Sequence, residues 1–264
     1  MPQKRIKVAT GQRQKTGRVK IAQRAKQQQS VTVFPAEKSH FVQELLLWFD
    51  TNKRSFFWRE QKLEPFQYAL IEILLQKTRA VTVEAFVKDF LTRYPSPEQL
   101  NGLSLEKLEN LIKPLGLHKQ RAVKIKRLAE EILESGDDRL ATDSIYNLPG
   151  IGDYIGRMTR IMAYGHVLAI IDTNVVRILK RVFGLITIQD ARRDKQLIKL
   201  AEEMLEMLLP STIKEYSLAL LDFGALVCLP RKPECEKGIA CPLMNICHYY
   251  DTTVAAEPRK DSQQ

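Results

Sequence analysis

The chain has 264 residues, 44% of them hydrophobic, with a formal net charge of +10 and a pI near 9.4. That length and apolar share support one large globular domain or two modest ones; no apolar run approaches the roughly 20 residues that cross a bilayer, and the N-terminus lacks the apolar core of a secretory signal. The charge excludes an acidic, self-solvating chain and implies a polyanionic partner, nucleic acid first among them.

The excess charge is local. The first thirty residues hold nine Lys or Arg and no acid; removing these from the total of 41 leaves 32 bases against 31 acids, so the body is nearly neutral. Rich in Gln, Lys and Arg and poor in large apolar groups, residues 1–34 are predicted to be a disordered basic arm. Such an arm raises affinity for a polyanion in a salt-dependent way. A solubilising tail and an organellar leader are the other readings.

Helical periodicity begins near Ser39, read as an N-cap, with Phe41, Leu45, Trp48 and Phe49 on one face. Residues 52–60 break that helix, and Trp58 beside Arg59 is either core or a DNA contact. The next helix, 66–77, is apolar nearly all round yet contains Glu72, set among Ile71, Ile73, Leu74 and Leu75. An acid so placed turns to a groove rim or is buried with a raised pKa, which is what a general acid needs. Gln76, Lys77, Thr78 and Arg79 follow, a run suited to phosphate and base-edge contacts or to a solvated helix end.

Helices are predicted over 81–92 and 104–112, the latter with Leu105, Leu108 and Leu111 inward. The segment 114–122 then bends at Pro114 and Gly116, exposes Leu117 at the tip beside His118, and starts a basic helix at Lys119. A leucine at such a tip is a helix-cap contact or a wedge between bases.

The stretch 148–180 reads as hairpin, helix, loop and helix. Pro149, Gly150 and Gly152 make a tight turn that needs a positive φ at a glycine, and the helix it opens offers bare amides to a phosphate. Ile155, Met158, Thr159, Met162 and Ala163 form its buried stripe. Asp172, before the run Val175, Val176, Ile178 and Leu179, is a preferred type of N-cap. Helices over 194–208 and 212–226 complete a fold in which no segment alternates as a strand would, so the class is all-α.

The cysteines, Cys228, Cys235, Cys241 and Cys247, stand in the pattern C-x6-C-x5-C-x5-C near the C-terminus. In an intracellular chain a local four-cysteine set points to a metal site over disulfides. Spacing alone leaves zinc and an iron–sulfur cluster both open.

Taken in order, ALIEILLQKT, GLHKQRA, LPGIGDY, IIDTNVVR, LLDFGALVC and the four cysteines resemble the endonuclease III (helix-hairpin-helix-GPD) superfamily of base-excision DNA glycosylases, over roughly residues 39–250. The resemblance implies two helical lobes with the hairpin at 148–154, a glycosylase domain over 35–226, a [4Fe-4S] loop over 227–250 and a tail over 251–264. It implies that Asp172 is the catalytic acid, helped by Glu72 and Tyr154 at the base. Gln76, Lys77, Leu117, His118, Gly150 and Gly152 would contact DNA, and the turn's carbonyls would hold a monovalent cation. The gap between Cys235 and Cys241 is three residues wider than the family's usual one.

Bifunctional members carry a Schiff-base lysine where this chain has Tyr154, and a phenol cannot form that imine. The resemblance therefore implies a monofunctional enzyme of the thymine or uracil mismatch type, acting opposite G. Adenine glycosylases acting opposite G or 8-oxoguanine are the alternative, and a non-catalytic DNA-binding cluster protein is the rival of another class. A monomer is expected, working on double-stranded DNA without a membrane, in the cytoplasm at the nucleoid or in a eukaryotic nucleus or organelle.

Overall fold

The computed structural model describes residues 32–187 and 190–256, so most of the predicted basic arm and the end of the tail lie outside the described residues. Eleven α-helices occur among the described residues: α1 Pro35–Asn52, α2 Phe57–Glu60, α3 Pro65–Leu75, α4 Ala80–Arg93, α5 Pro97–Asn101, α6 Leu105–Ile112, α7 His118–Ser135, α8 Asp153–Tyr164, α9 Thr173–Phe183, α10 Lys195–Leu205 and α11 Ile213–Leu226. No strand is present among those residues, and no helix is long and apolar enough to cross a membrane. The fold is all-α.

Helix ends follow local chemistry, with two departures from the periodicity. α1 starts four residues before Ser39: Pro35 fits the first turn, and Glu37 accepts from the Phe34 amide at 2.8 Å. In α6 the buried pair is Leu108 and Ile112, while Leu105 is exposed and Leu111 half-buried. The inward face thus runs at a four-residue step, because the chain continues directly into a 3-10 turn at Lys113–Leu115. α8 ends in an αL motif, with Gly165 left-handed at φ 71° and its N–H donating to Ile161 O, while His166 N–H donates to Arg160 O.

Two apolar cores define two lobes. One is built from a single continuous stretch, Phe56 to Ile155, and holds α2–α7 and the hairpin. The other joins α1 to α9, α10, α11 and the cysteine loop, so it draws on both ends of the described chain. α8 runs from lobe to lobe: Ile155 packs in the first core, Met158, Ile161 and Met162 in the second. Tyr154, at its start, touches both. α8 also packs broadly on α3, which fixes the line along which the lobes meet.

Candidate active site

At that junction lies a cleft of about 360 Å³. α3 supplies Ile71, Glu72 and Leu75; α8 supplies Tyr154, Met158 and Met162; the start of α9 supplies Asp172 and Asn174; and α11 closes the wall with Leu218, Leu221 and Ala225. Arg54, Arg59 and Gln76 also line it.

Glu72 cannot escape to water because α3 has no polar face there: Tyr68 to Leu74 are buried without a break. Burial pushes its carboxyl up from 4.5 to about 7, with the Asp172 charge adding to this and Arg59 and the Tyr154 hydroxyl opposing it. Its Oε2 has no hydrogen-bond partner. Tyr154 is held a neutral phenol: burial first, then the charges of Glu72 and Asp172, raise it well above 10.

Asp172 is the N-cap of α9. Its Oδ1 accepts from the amides of Asn174 at 2.8 Å and Val175 at 2.7 Å, and its Oδ2 accepts from Asn174 Nδ2 at 2.8 Å. Asn174 is in turn fixed by Arg177, whose Nη2 donates to Asn174 Oδ1 at 2.8 Å and to Gly224 O at 2.7 Å. Burial still raises the Asp172 carboxyl above its ordinary 3.8, although the cap bonds favour the ionised form. A cap geometry and an acid aimed into a cleft coexist in one side chain.

A third acid, fully buried Asp222, escaped notice in the sequence. Burial alone would raise its carboxyl, but Arg59 and Arg54 hold it below 3.8. Arg59 clamps it with Nη1 at 2.8 Å and Nη2 at 2.9 Å; Arg54 adds its backbone amide at 2.9 Å and Nε at 2.7 Å. The signal was available, since an Asp inside LALLDFGALV is as conspicuous as Glu72. Arg59 is the more important of its partners: its Nε is buried without a partner on the cleft wall. Trp58, by contrast, is core, stacked on Phe56 with centroids 4.7 Å apart.

Of the DNA-contact residues predicted from sequence, Gln76 is the one that lines the cleft. It is exposed, as is Lys77 beside it; Leu117 is exposed and His118 half-buried at the start of α7. In the hairpin only Gly150 takes a positive φ, 82°, with space for a Cβ limited by Lys124 Cβ at 3.1 Å. Gly152 is extended and serves as the N-cap of α8 without a side-chain cap, which leaves that helix's first amides open to an anion.

The four cysteines are free thiols gathered behind α9 and α11, with Cys228 and Cys247 buried. They interact electrostatically with one another, and Arg181 Nη1 donates to Cys228 Sγ at 3.4 Å. The wide second gap is an exposed bulge, residues 236–240, that turns back at Gly238 with φ 78°. Among the described residues no three of these side chains converge on one ion-sized point. By their chemistry, four thiols within one short segment, two of them buried, suit a soft-metal group.

Residues 70–207 match the HhH-GPD superfamily of base excision DNA repair proteins. The chain is 32% identical over 213 residues to a thymine/uracil-DNA glycosylase of Methanothermobacter thermautotrophicus, covering 80% of this chain and 93% of that protein. It is 28% identical over 223 residues to the human adenine DNA glycosylase, covering 80% of this chain and 40% of that one. The solved structure of a thermostable thymine-DNA glycosylase superposes with a TM-score of 0.72 at 31% identity, over 82% of this chain and 97% of the other. An endonuclease III–DNA complex shares the fold, with a TM-score of 0.69 at 21% identity, over 83% of this chain and 98% of the other. The chain belongs to the HhH-GPD superfamily of base excision DNA repair proteins. Within it, this is a DNA glycosylase.

Proposed function

We propose that the protein is a monofunctional glycosylase that hydrolyses the N-glycosidic bond of thymine or uracil mispaired with guanine. The observation that carries this reading is the pairing of Asp172 and Glu72 across one cleft, close enough for the charge of the first to raise the second. The target nucleotide leaves the stack at a cost of a few kcal/mol, least for a mispair. Gln76 and Leu117 fill the space it vacates, and the amides following Gly150 and Gly152 hold the neighbouring phosphate, with a monovalent cation at the turn. As the bond from C1′ to the base breaks, its electron pair leaves with the base. Glu72, protonated in part near neutrality, bonds or protonates the departing base. Asp172 opposes the positive charge on the sugar, orients the water whose oxygen bonds C1′ and accepts the proton that this water loses.

The choice of a pyrimidine dione over adenine is supported by the relatives: the thymine/uracil-DNA glycosylase matches at 32% identity over 93% of its length, the human adenine DNA glycosylase at 28% over 40% of its length. The cleft's buried polar atoms without protein partners are one donor, Arg59 Nε, and one carboxyl oxygen, Glu72 Oε2. Thymine and uracil complement this pair with a carbonyl and an N–H, and adenine complements it equally with a ring nitrogen and its amino group. Duplexes with G·T, G·U, A·G, A·8-oxoguanine and thymine glycol, scored for base release before and after alkali, decide the matter; release confined to A·8-oxoguanine would overturn the reading.

Tyr154→Lys tests the absence of lyase chemistry. Residue 154 borders the cleft beside Glu72 and Asp172, so an amine there should attack the sugar of an abasic site and gain strand cleavage that borohydride traps as a protein–DNA adduct. If no adduct forms, residue 154 does not reach the sugar.

The same proposal gives Cys228, Cys235, Cys241 and Cys247 a [4Fe-4S] cluster, which supplies a rigid, charged support for the loop. Purified protein is expected to be brown and to contain about four irons per chain, the content of the cubane that four such thiolates hold. A colourless protein with one zinc would remove the cluster from the proposal without touching the cleft.

A further inference from the structure

Two turns lie side by side, Gln76–Arg79 after α3, which lines the cleft, and Leu115–Leu117 before α7, with Gln76, Lys77 and Leu117 exposed. Each contains a non-glycine residue in the left-handed region, Lys77 at φ 57° and Leu117 at φ 51°; the only other such residue among those described is Lys232. Bulky side chains disfavour that region, and it persists only where the surroundings over-determine it. Here the surroundings are one guanidinium. Arg121, 3% exposed, lies beneath both turns. Its Nη1 donates to Leu115 O at 2.8 Å and Gly116 O at 2.7 Å; its Nη2 donates to Gln76 O and, at 2.7 Å, to Thr78 Oγ1. Thr78 Oγ1 closes the loop by donating to Leu115 O at 3.1 Å.

This cation has no carboxylate partner among the described residues, and its Nε is buried without any partner. A buried arginine compensated only by carbonyls and a hydroxyl is a poor device for stability alone. The planar fork, however, spans two backbones that are about forty residues apart in sequence, which a point charge on a flexible stem cannot do.

We infer that Arg121 is a positioning residue that sets the separation of the two turns, so that Gln76 and Leu117 enter the duplex as one preformed tool. The inference rests on the proposed role of those two side chains in filling the vacated stack. With the clamp intact the ordering of both turns is complete before DNA arrives; without it, each turn must be ordered during insertion.

The test uses the full chain with its metal group, in an Asp172→Asn background, bound to a G·U duplex carrying 2-aminopurine next to the uracil. The fluorescence rise reports unstacking, and anisotropy on an undamaged duplex reports docking. Arg121→Lys is expected to reduce the fluorescence amplitude at least fivefold while changing docking less than twofold, and Thr78→Val to act in the same direction more weakly. Should Arg121→Lys fail to fold, Thr78→Val alone carries the test. An unchanged amplitude, or amplitude and docking falling together, overturns the clamp. The substrate reading fails separately, if wild-type protein releases neither thymine nor uracil; the fluorescence comparison then decides the clamp on whichever pair of the substrate panel the enzyme unstacks.

Discussion

Asp172→Asn is expected to lower single-turnover base release from a G·U or G·T duplex by about 10²–10⁴-fold while leaving the fold and duplex binding near wild type. The two effects separate because asparagine is as good an N-cap as aspartate: its Oδ1 still accepts from the amides of Asn174 and Val175. What the variant lacks is the negative charge, together with the acceptor that meets Asn174 Nδ2. Asp172→Ala, which loses the cap as well, should in addition destabilise the protein by about 1 kcal/mol. Undiminished base release by Asp172→Asn would remove Asp172 from the chemistry and return it to the role of a cap.

Glu72→Gln is expected to stabilise the protein and slow it at once. In the folded state the Glu72 carboxyl titrates at about 7, against an ordinary 4.5. The folded form therefore binds the proton more tightly than the unfolded form, and stability falls as pH rises from about 4.5 to about 7. Above that window the ionised, buried carboxylate withholds roughly 3 kcal/mol of stability. Glutamine has no such penalty, so urea unfolding should show Glu72→Gln gaining up to roughly 3 kcal/mol at pH 8 and nothing at pH 4. A gain independent of pH would show that burial does not hold Glu72 protonated. Activity should move oppositely: wild-type base release declines as pH rises through about 7, and the variant, slower throughout, loses that decline.

The fold was legible where the physics is local. Helix positions follow from a period of 3.6 that survives whatever packs against it, and Glu72 and Asp172 stood out because an acid in an apolar run and an acid before a helix both need an explanation. Asp222 satisfies the first criterion equally well, yet its meaning depends on Arg54 and Arg59, more than 160 residues away, and no short-range pattern joins them. Leu105 and Leu111 show the same limit at small scale, since spacings of three and four fit one stripe and only the neighbouring turn selects between them. The left-handed backbone at Lys77 and Leu117 has no sequence signature, because Lys and Leu rarely adopt it; Arg121, which imposes it, reads in isolation as one more base on a basic helix.

The unequal composition of the two lobes bears on how the chain is made. The lobe from Phe56 to Ile155 is continuous, so its contacts close over short loops and can form while synthesis proceeds. The other lobe needs Phe41 and Leu45 to meet partners that emerge nearly two hundred residues later, on α11 and the cysteine loop. Arg54 and Arg59 wait for Asp222, and until α11 arrives the cleft lacks the wall of Leu218, Leu221 and Ala225. A nascent chain thus carries a folded half that presents Gln76 and Leu117, but it cannot excise a base until the last helix has left the ribosome.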